Sequence, residues 1–117
     1  MQQRDPTYIE DILRAAGRIA SYVEGIDEEV FARDEMRQDA VIRQLEIIGE
    51  ASRNLSAEFR EQHPGVEWRK IVGTRNLLAH AYRSVGVSYV WEAAVRHVVE
   101  LESYLKGLAA SAEDDDE

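Results

Sequence analysis

A chain of 117 residues is sized for one domain and can bury on the order of two-thirds of its unfolded surface without covalent staples. Having no cysteine, it can build neither a disulfide framework nor a thiolate metal site, and that composition fits a reducing, cytoplasmic setting. A formal net charge of −9 argues against a general nucleic-acid coat, because phosphate binding draws on clustered Lys and Arg.

The average hides an asymmetry. Glu113–Glu117 hold five of the nine excess negative charges, which leaves the body at −4. Twelve of the 14 cationic residues are Arg, whose planar fork grips phosphate in a bidentate way, so a local basic patch is compatible with the overall charge. The start, MQQRDPTYIED, has neither the basic segment nor the apolar run of a secretory signal, and no window nears the roughly 18 apolar residues of a membrane span. A soluble, unprocessed protein with no membrane partner is expected. The tail 113–117 reads as a solvated, disordered acidic end beyond a single domain over 1–112.

Taken in order, the chain reads as helices. Asp5-Pro6 predicts an N-cap followed by proline at the first helical position, and Ile9, Ile12, Leu13, Ala16, Ile19, Ala20 and Val23 then recur at three and four to about Gly25. Asp27 to Arg33 predicts a short helix around Val30 and Phe31. From Asp34 to about Asn54 a long helix carries two apolar stripes: Val41, Leu45, Ile48 and Leu55 form one, and Met36, Ala40, Ile47 and Ala51 the other. So broad a face implies two packing partners, and one of them is expected to be a second subunit.

Ser56 caps a brief helix closed by His63-Pro64-Gly65. The stretch WRKIVGTRNLLAHAY, Trp68 to Tyr82, then combines a helical apolar side (Ile71, Thr74, Leu77, Leu78, Ala81) with chemically capable groups. Ser84 to Ser88 around Gly86 is a break, and Val90, Trp91, Ala94, Val95, Val98, Leu101, Leu105 and Leu108 make a last amphipathic helix. No alternating Val/Ile/Thr run or hairpin dipeptide signals a sheet. The expected fold is all-α: a compact up-and-down bundle of four principal helices plus one or two short ones.

The chemistry gathers in the central helix. At about 100° per residue, Arg75, Asn76, His80, Tyr82 and Arg83 share one broad sector, with Arg75 and His80 about 140° apart, so that the pair would flank a ligand rather than stack on one line. A guanidinium, a carboxamide, an imidazole and a phenol on one side of a buried helix suit a phosphate ester. Imidazole is the side chain fitted to proton transfer near neutral pH. Taken singly, His80 would as readily be structural, Arg75 a surface ion-pair partner, Asn76 an ordinary helix-surface amide and Tyr82 core packing with a bonded hydroxyl; Arg83 is at most a supporting group. No metal site is expected, since His63, His80 and His97 are too scattered and His80 has no Asp, Glu or Cys within four residues. No nucleophile elbow or phosphate-binding Gly-rich loop occurs. Trp68 and Trp91 fall on apolar stripes as core.

The run Arg75-Asn-Leu-Leu-Ala-His80-Ala-Tyr82 is an R-x4-H-x-Y pattern with a polar residue directly after the Arg, and it resembles the signature of HEPN-domain proteins, specifically the HepT-like toxins. Ala40-Val-Ile-Arg-Gln-Leu-Glu-Ile-Ile-Gly-Glu-Ala51 resembles that family's second-helix signature, and Trp68-Arg-Lys-Ile-Val-Gly-Thr before the motif also fits. The resemblance covers nearly the whole chain apart from the acidic tail.

It implies a HEPN-like bundle acting as a homodimer, with two motifs meeting across a twofold axis, and a metal-independent endoribonuclease needing no cofactor. In such an enzyme the RNA 2′-hydroxyl attacks the adjacent phosphodiester to leave a 2′,3′-cyclic phosphate and a 5′-hydroxyl. His80 would be general acid or base, Arg75 the clamp on phosphorane charge, and Asn76, with Arg83, a positioning group. The resemblance also implies a toxin–antitoxin pair of type II or VII character, with a nucleotidyltransferase antitoxin that adds AMP to Tyr82 and with which the dimer forms higher assemblies. Single-stranded or loop RNA, such as part of a transfer RNA, is the expected substrate. The alternative is a non-catalytic HEPN module that binds a nucleotide or its nucleotidyltransferase partner; a third is a plain helical dimerisation domain.

Overall fold

The computed structural model describes residues 2–115, and within them every side chain except those at 77, 79–85 and 112–115. Four long helices carry the fold: α1 (Asp5–Val23), α3 (Glu35–Asn54), α5 (Trp68–Val85) and α7 (Val98–Asp115). Short helices α2 (Glu28–Ala32), α4 (Ala57–Gln62) and α6 (Val87–Glu92) join them, and a π turn, Ala93–His97, links α6 to α7. No strand occurs among the described residues, and no helix among them is long and apolar enough to cross a membrane. The all-α bundle expected of the sequence is the observed architecture.

α3 is the spine. It packs against α1 on one side and α5 on the other, while α7 and the π turn return against α1. Ile12, Ala15, Ala16 and Ile19 of α1 meet Val41, Leu45, Ile48 and Ala51 of α3 in one core that Phe31, Phe59, Trp68, Leu78, Leu101 and Leu105 complete. In α1 the buried set takes Ala15 and leaves Ala20 exposed, one position from the expected stripe. The broad face of α3 has two packing partners in the same chain, α1 and α5, while Ala40 and Ile47 of the second stripe stay half-buried. Met36, at the end of the second stripe, is 86% exposed.

The helix starts show why these segments fold where they do. Asp27 accepts from the Val30 amide (2.9 Å), Asp34 from the Arg37 amide (3.0 Å), and Ser56 Oγ from the Phe59 amide (3.1 Å). Each satisfies an orphan donor in the first turn. Arg37 also donates to the Tyr22 carbonyl (2.8 Å), tying the start of α3 to the end of α1. Gly25 and Gly86, both at positive φ (75° and 87°), close α1 and separate α5 from α6, a backbone state that glycine enters without a Cβ penalty.

Asp5 is not the cap of its own helix. It is the first helical residue, follows Arg4 in the N-cap position, and is buried (1% exposed). Its two oxygens accept from the Ser56 amide (2.8 Å) and hydroxyl (2.6 Å), so the residue pins the start of α1 to the cap of α4. Burial pushes this carboxyl upward, but the bonds from Ser56 and the Gln2 amide outweigh it and hold the group below its ordinary value. A depressed carboxyl contributes stability above its unfolded value of about 3.9 and loses it as pH falls through the folded one. Asp5→Ala is therefore expected to cost about 1–3 kcal/mol near neutral pH, since three donors lose their acceptor. In denaturant titrations at stepped pH, the gap to wild type should close under strong acid; a gap that persists or widens there would refute this role.

The last amphipathic segment is not one regular helix. The Val98 amide donates to the Ala93 carbonyl, a five-residue step that inserts one residue into the turn. The insertion rotates the apolar stripe: Val90, Ala93, Ala94 and Val98 are buried, whereas Val95, expected inside, is 37% exposed. Trp91 lies half-buried against Phe31 with ring centroids 5.3 Å apart.

Candidate active site

The candidate site sits where α5 crosses α3. Gly49 makes the crossing close: a Cβ at that position would lie 2.8 Å from Arg75 Cβ and 3.4 Å from the Ile71 carbonyl oxygen. The root of Arg75 therefore rests on bare α3 backbone. One residue on, Glu50 turns its carboxylate to the guanidinium, with Oε2 3.2 Å from Arg75 Nε. Arg53 Nη1 is 3.7 Å from the same oxygen. Glu50 Oε2 is closed to solvent and has no hydrogen bond of good geometry, so these two cations are its compensation.

This pairing departs from the rest of the surface. Arg14, Arg33, Arg37, Arg43 and Arg96 each pair with a carboxylate three or four residues away in or beside their own helix, the exposed kind of contact that adds little. These five arginines are paired locally, within or beside their own helices. Arg75 reaches across to a different helix. Its side chain is 40% exposed and borders a shallow groove of about 230 Å³, lined also by Tyr8, Asp11, Arg43, Glu46 and Glu50. Asn76, next along α5, is exposed.

The backbone of α5 runs through all the motif positions. The side chains of His80, Tyr82 and Arg83 lie outside the described residues; of the acidic tail assigned to 113–117, the backbone of 113–115 continues α7 and 116–117 lie outside them. On the apolar side, Leu78 is buried and Ile71 and Thr74 are half-buried, as the helical period predicts. Thr74 Oγ1 donates to the Lys70 carbonyl (2.9 Å) and meets the Tyr89 hydroxyl (3.1 Å), fastening α5 to α6. His63 is structural: its Nδ1 meets the Tyr104 hydroxyl at 2.8 Å and its carbonyl accepts from Trp68 Nε1 at 3.0 Å. Among the described residues no three His, Asp or Glu side chains gather as a metal site would require.

The arginine that opens the R-x4-H-x-Y run is thus partly exposed and paired with Glu50 at the close crossing of α3 and α5. The sequence profile described as Ribonuclease HepT-like matches residues 12–108. The chain belongs to the HepT-like ribonuclease family. Within that family it is 41% identical over 99 residues to a candidate RNase of Caldanaerobacter subterraneus subsp. tengcongensis, covering 85% of this chain and 88% of the relative. A candidate ribonuclease HepT of Thermococcus cleftensis is 37% identical over 108 residues, covering 92% and 98%. A candidate RNase of Methanocaldococcus jannaschii is 41% identical over 93 residues, covering 79% and 85%. No solved structure matches the chain.

Two residues at this crossing, Gly49 and Glu50, received no role from sequence reasoning. The signal was present: a glycine inside a long run of helix formers, followed at once by a carboxylate, marks a close backbone approach beside a charged group.

Proposed function

We propose that this HepT-like chain is a metal-independent endoribonuclease, and that Arg75 and His80 carry the reaction. The observation that supports it most is the presentation of the Arg75 guanidinium, partly exposed and restrained at the α3–α5 crossing, at the head of the R-x4-H-x-Y run of a ribonuclease family. The 2′-hydroxyl of RNA attacks the adjacent phosphorus, His80 takes or returns the proton, and the bond to the 5′-oxygen breaks. Arg75 offsets the charge that builds on the phosphorane oxygens. Asn76 and Arg83 assist in positioning. The substrate is single-stranded or loop RNA, such as part of a transfer RNA, whose backbone can adopt the in-line geometry. Two subunits act together, with their motifs facing across a twofold axis.

The protein is the toxin of a toxin–antitoxin pair, silenced when a nucleotidyltransferase adds AMP to Tyr82. Two residues from His80 on the same helix, an added phosphate would repel an RNA backbone and fill the groove. Carboxylates around Arg75, notably Glu46 and Glu50, favour the second reading, a module that binds a nucleotide or the nucleotidyltransferase without cleaving RNA.

One preparation decides between them. Incubated with a transfer-RNA pool in chelator, the purified protein should yield 2′,3′-cyclic phosphate and 5′-hydroxyl ends, and material co-expressed with the nucleotidyltransferase should carry one AMP on Tyr82 and cleave nothing. Intact RNA, together with complex formation that depends on nucleotide, would reject the nuclease in favour of the binding module.

A further inference from the structure

Resting on that reading of Arg75, we infer that Glu50 is a positioning residue of the site: it holds the Arg75 guanidinium by Nε and leaves both Nη groups to grip the phosphate. Arginine recognises phosphate best through two parallel N–H donors, and which pair is presented depends on what restrains the third edge of the fork. Here the contact is an ion pair at Nε, 3.2 Å from Glu50 Oε2, held by charge and not by a well-formed hydrogen bond. Among the described residues no hydrogen bond or ion pair engages Nη1 or Nη2 of Arg75.

Three further observations bear on the role. The carboxylate oxygen is closed to water although the side chains around it are partly exposed, so it faces the guanidinium and not the solvent. Gly49 brings Arg75 Cβ onto the α3 backbone, which leaves the arginine stem little room to swing and places its head within reach of the next residue of α3. Finally, Arg53 approaches the same oxygen at 3.7 Å. The trio of Glu50, Arg53 and Arg75 is therefore net cationic, and a carboxylate beside a phosphate site does not cancel the attraction for RNA. An exposed arginine with many rotamers pays an ordering cost on binding, and Glu50 reduces it before substrate arrives.

The test is kinetic. On a short single-stranded oligoribonucleotide with one cleavable linkage, Glu50→Ala is expected to lower kcat on the order of 10- to 100-fold, the scale of loss that follows misplacement of a reacting group. KM and the thermal midpoint should change little. Glu50→Gln, which keeps the shape and a neutral acceptor, should lose less, and read against wild type it also serves if the alanine variant fails to fold. In an Arg75→Lys background, whose side chain has no Nε–H to restrain, Glu50→Ala should cause no further loss. Equal or higher activity for Glu50→Ala, or a full second loss on top of Arg75→Lys, would overturn the inference while leaving the site reading intact. If Arg75→Ala itself cleaved like wild type, the ribonuclease reading would fall, and this inference with it.

Discussion

His80→Ala and Arg75→Ala are each expected to lower RNA cleavage on the order of 100- to 10,000-fold and 100- to 1,000-fold respectively, without unfolding the protein. The first range is that of a positioned proton-transfer group and the second that of a fixed donor aimed at developing charge. Folding should survive in the arginine variant because the side chain is 40% exposed and Arg53 still faces the Glu50 oxygen that Arg75 would leave. The two losses should be far from additive, since an arginine that stabilises the phosphorane has little to act on once proton transfer is lost. Expression of His80→Ala should no longer arrest growth. A folded His80→Ala protein that remained toxic, or that kept its cleavage rate, would remove the imidazole from the mechanism.

Gly49→Ala and Gly17→Ala should shift stability in opposite directions. Both replace a glycine inside a helix, which by propensity alone gains up to about 1 kcal/mol. Gly17 is exposed on α1 and a Cβ there meets nothing within 4 Å, so a gain of about 0.5–1 kcal/mol is expected. At Gly49 the new methyl would lie 2.8 Å from Arg75 Cβ. That neighbour is rooted in the α5 backbone and cannot swing aside, so α3 and α5 must separate. Overpacking of this kind costs about 1–3 kcal/mol, enough to reverse the propensity gain. Moving α5 also moves Arg75, and cleavage should fall with stability. Urea titrations of the two variants give the sign directly; a stabilised Gly49→Ala protein would show that the helices are not in close contact there.

Much of this was legible beforehand. The 3.6-residue period placed Ile12, Ala16 and Ile19 inside, and Asp27, Asp34 and Ser56 announced their helices because a short side-chain oxygen ahead of an apolar run has few better uses than the first-turn amides. Gly25 and Gly86 marked the breaks. The departures come from effects that no local pattern contains. Asp5 carries the signature of a cap, yet a partner 51 positions away took its oxygens. The π turn is invisible in the spacing of Val90 to Leu108, since one inserted residue changes the phase of a helix without changing the residues in it.

The order of residues by itself determined an all-helical chain, most of its helix boundaries, and a motif that puts Arg75, Asn76, His80 and Tyr82 along one helix, because each of these depends on neighbours a few positions away. Tertiary structure decided that α3 packs against both α1 and α5, that Asp5 serves α4, and that Gly49 and Glu50 lie against Arg75. Contacts between residues 25 positions apart follow from how helices cross, and crossing depends on the bulk of side chains from separate segments meeting at one point.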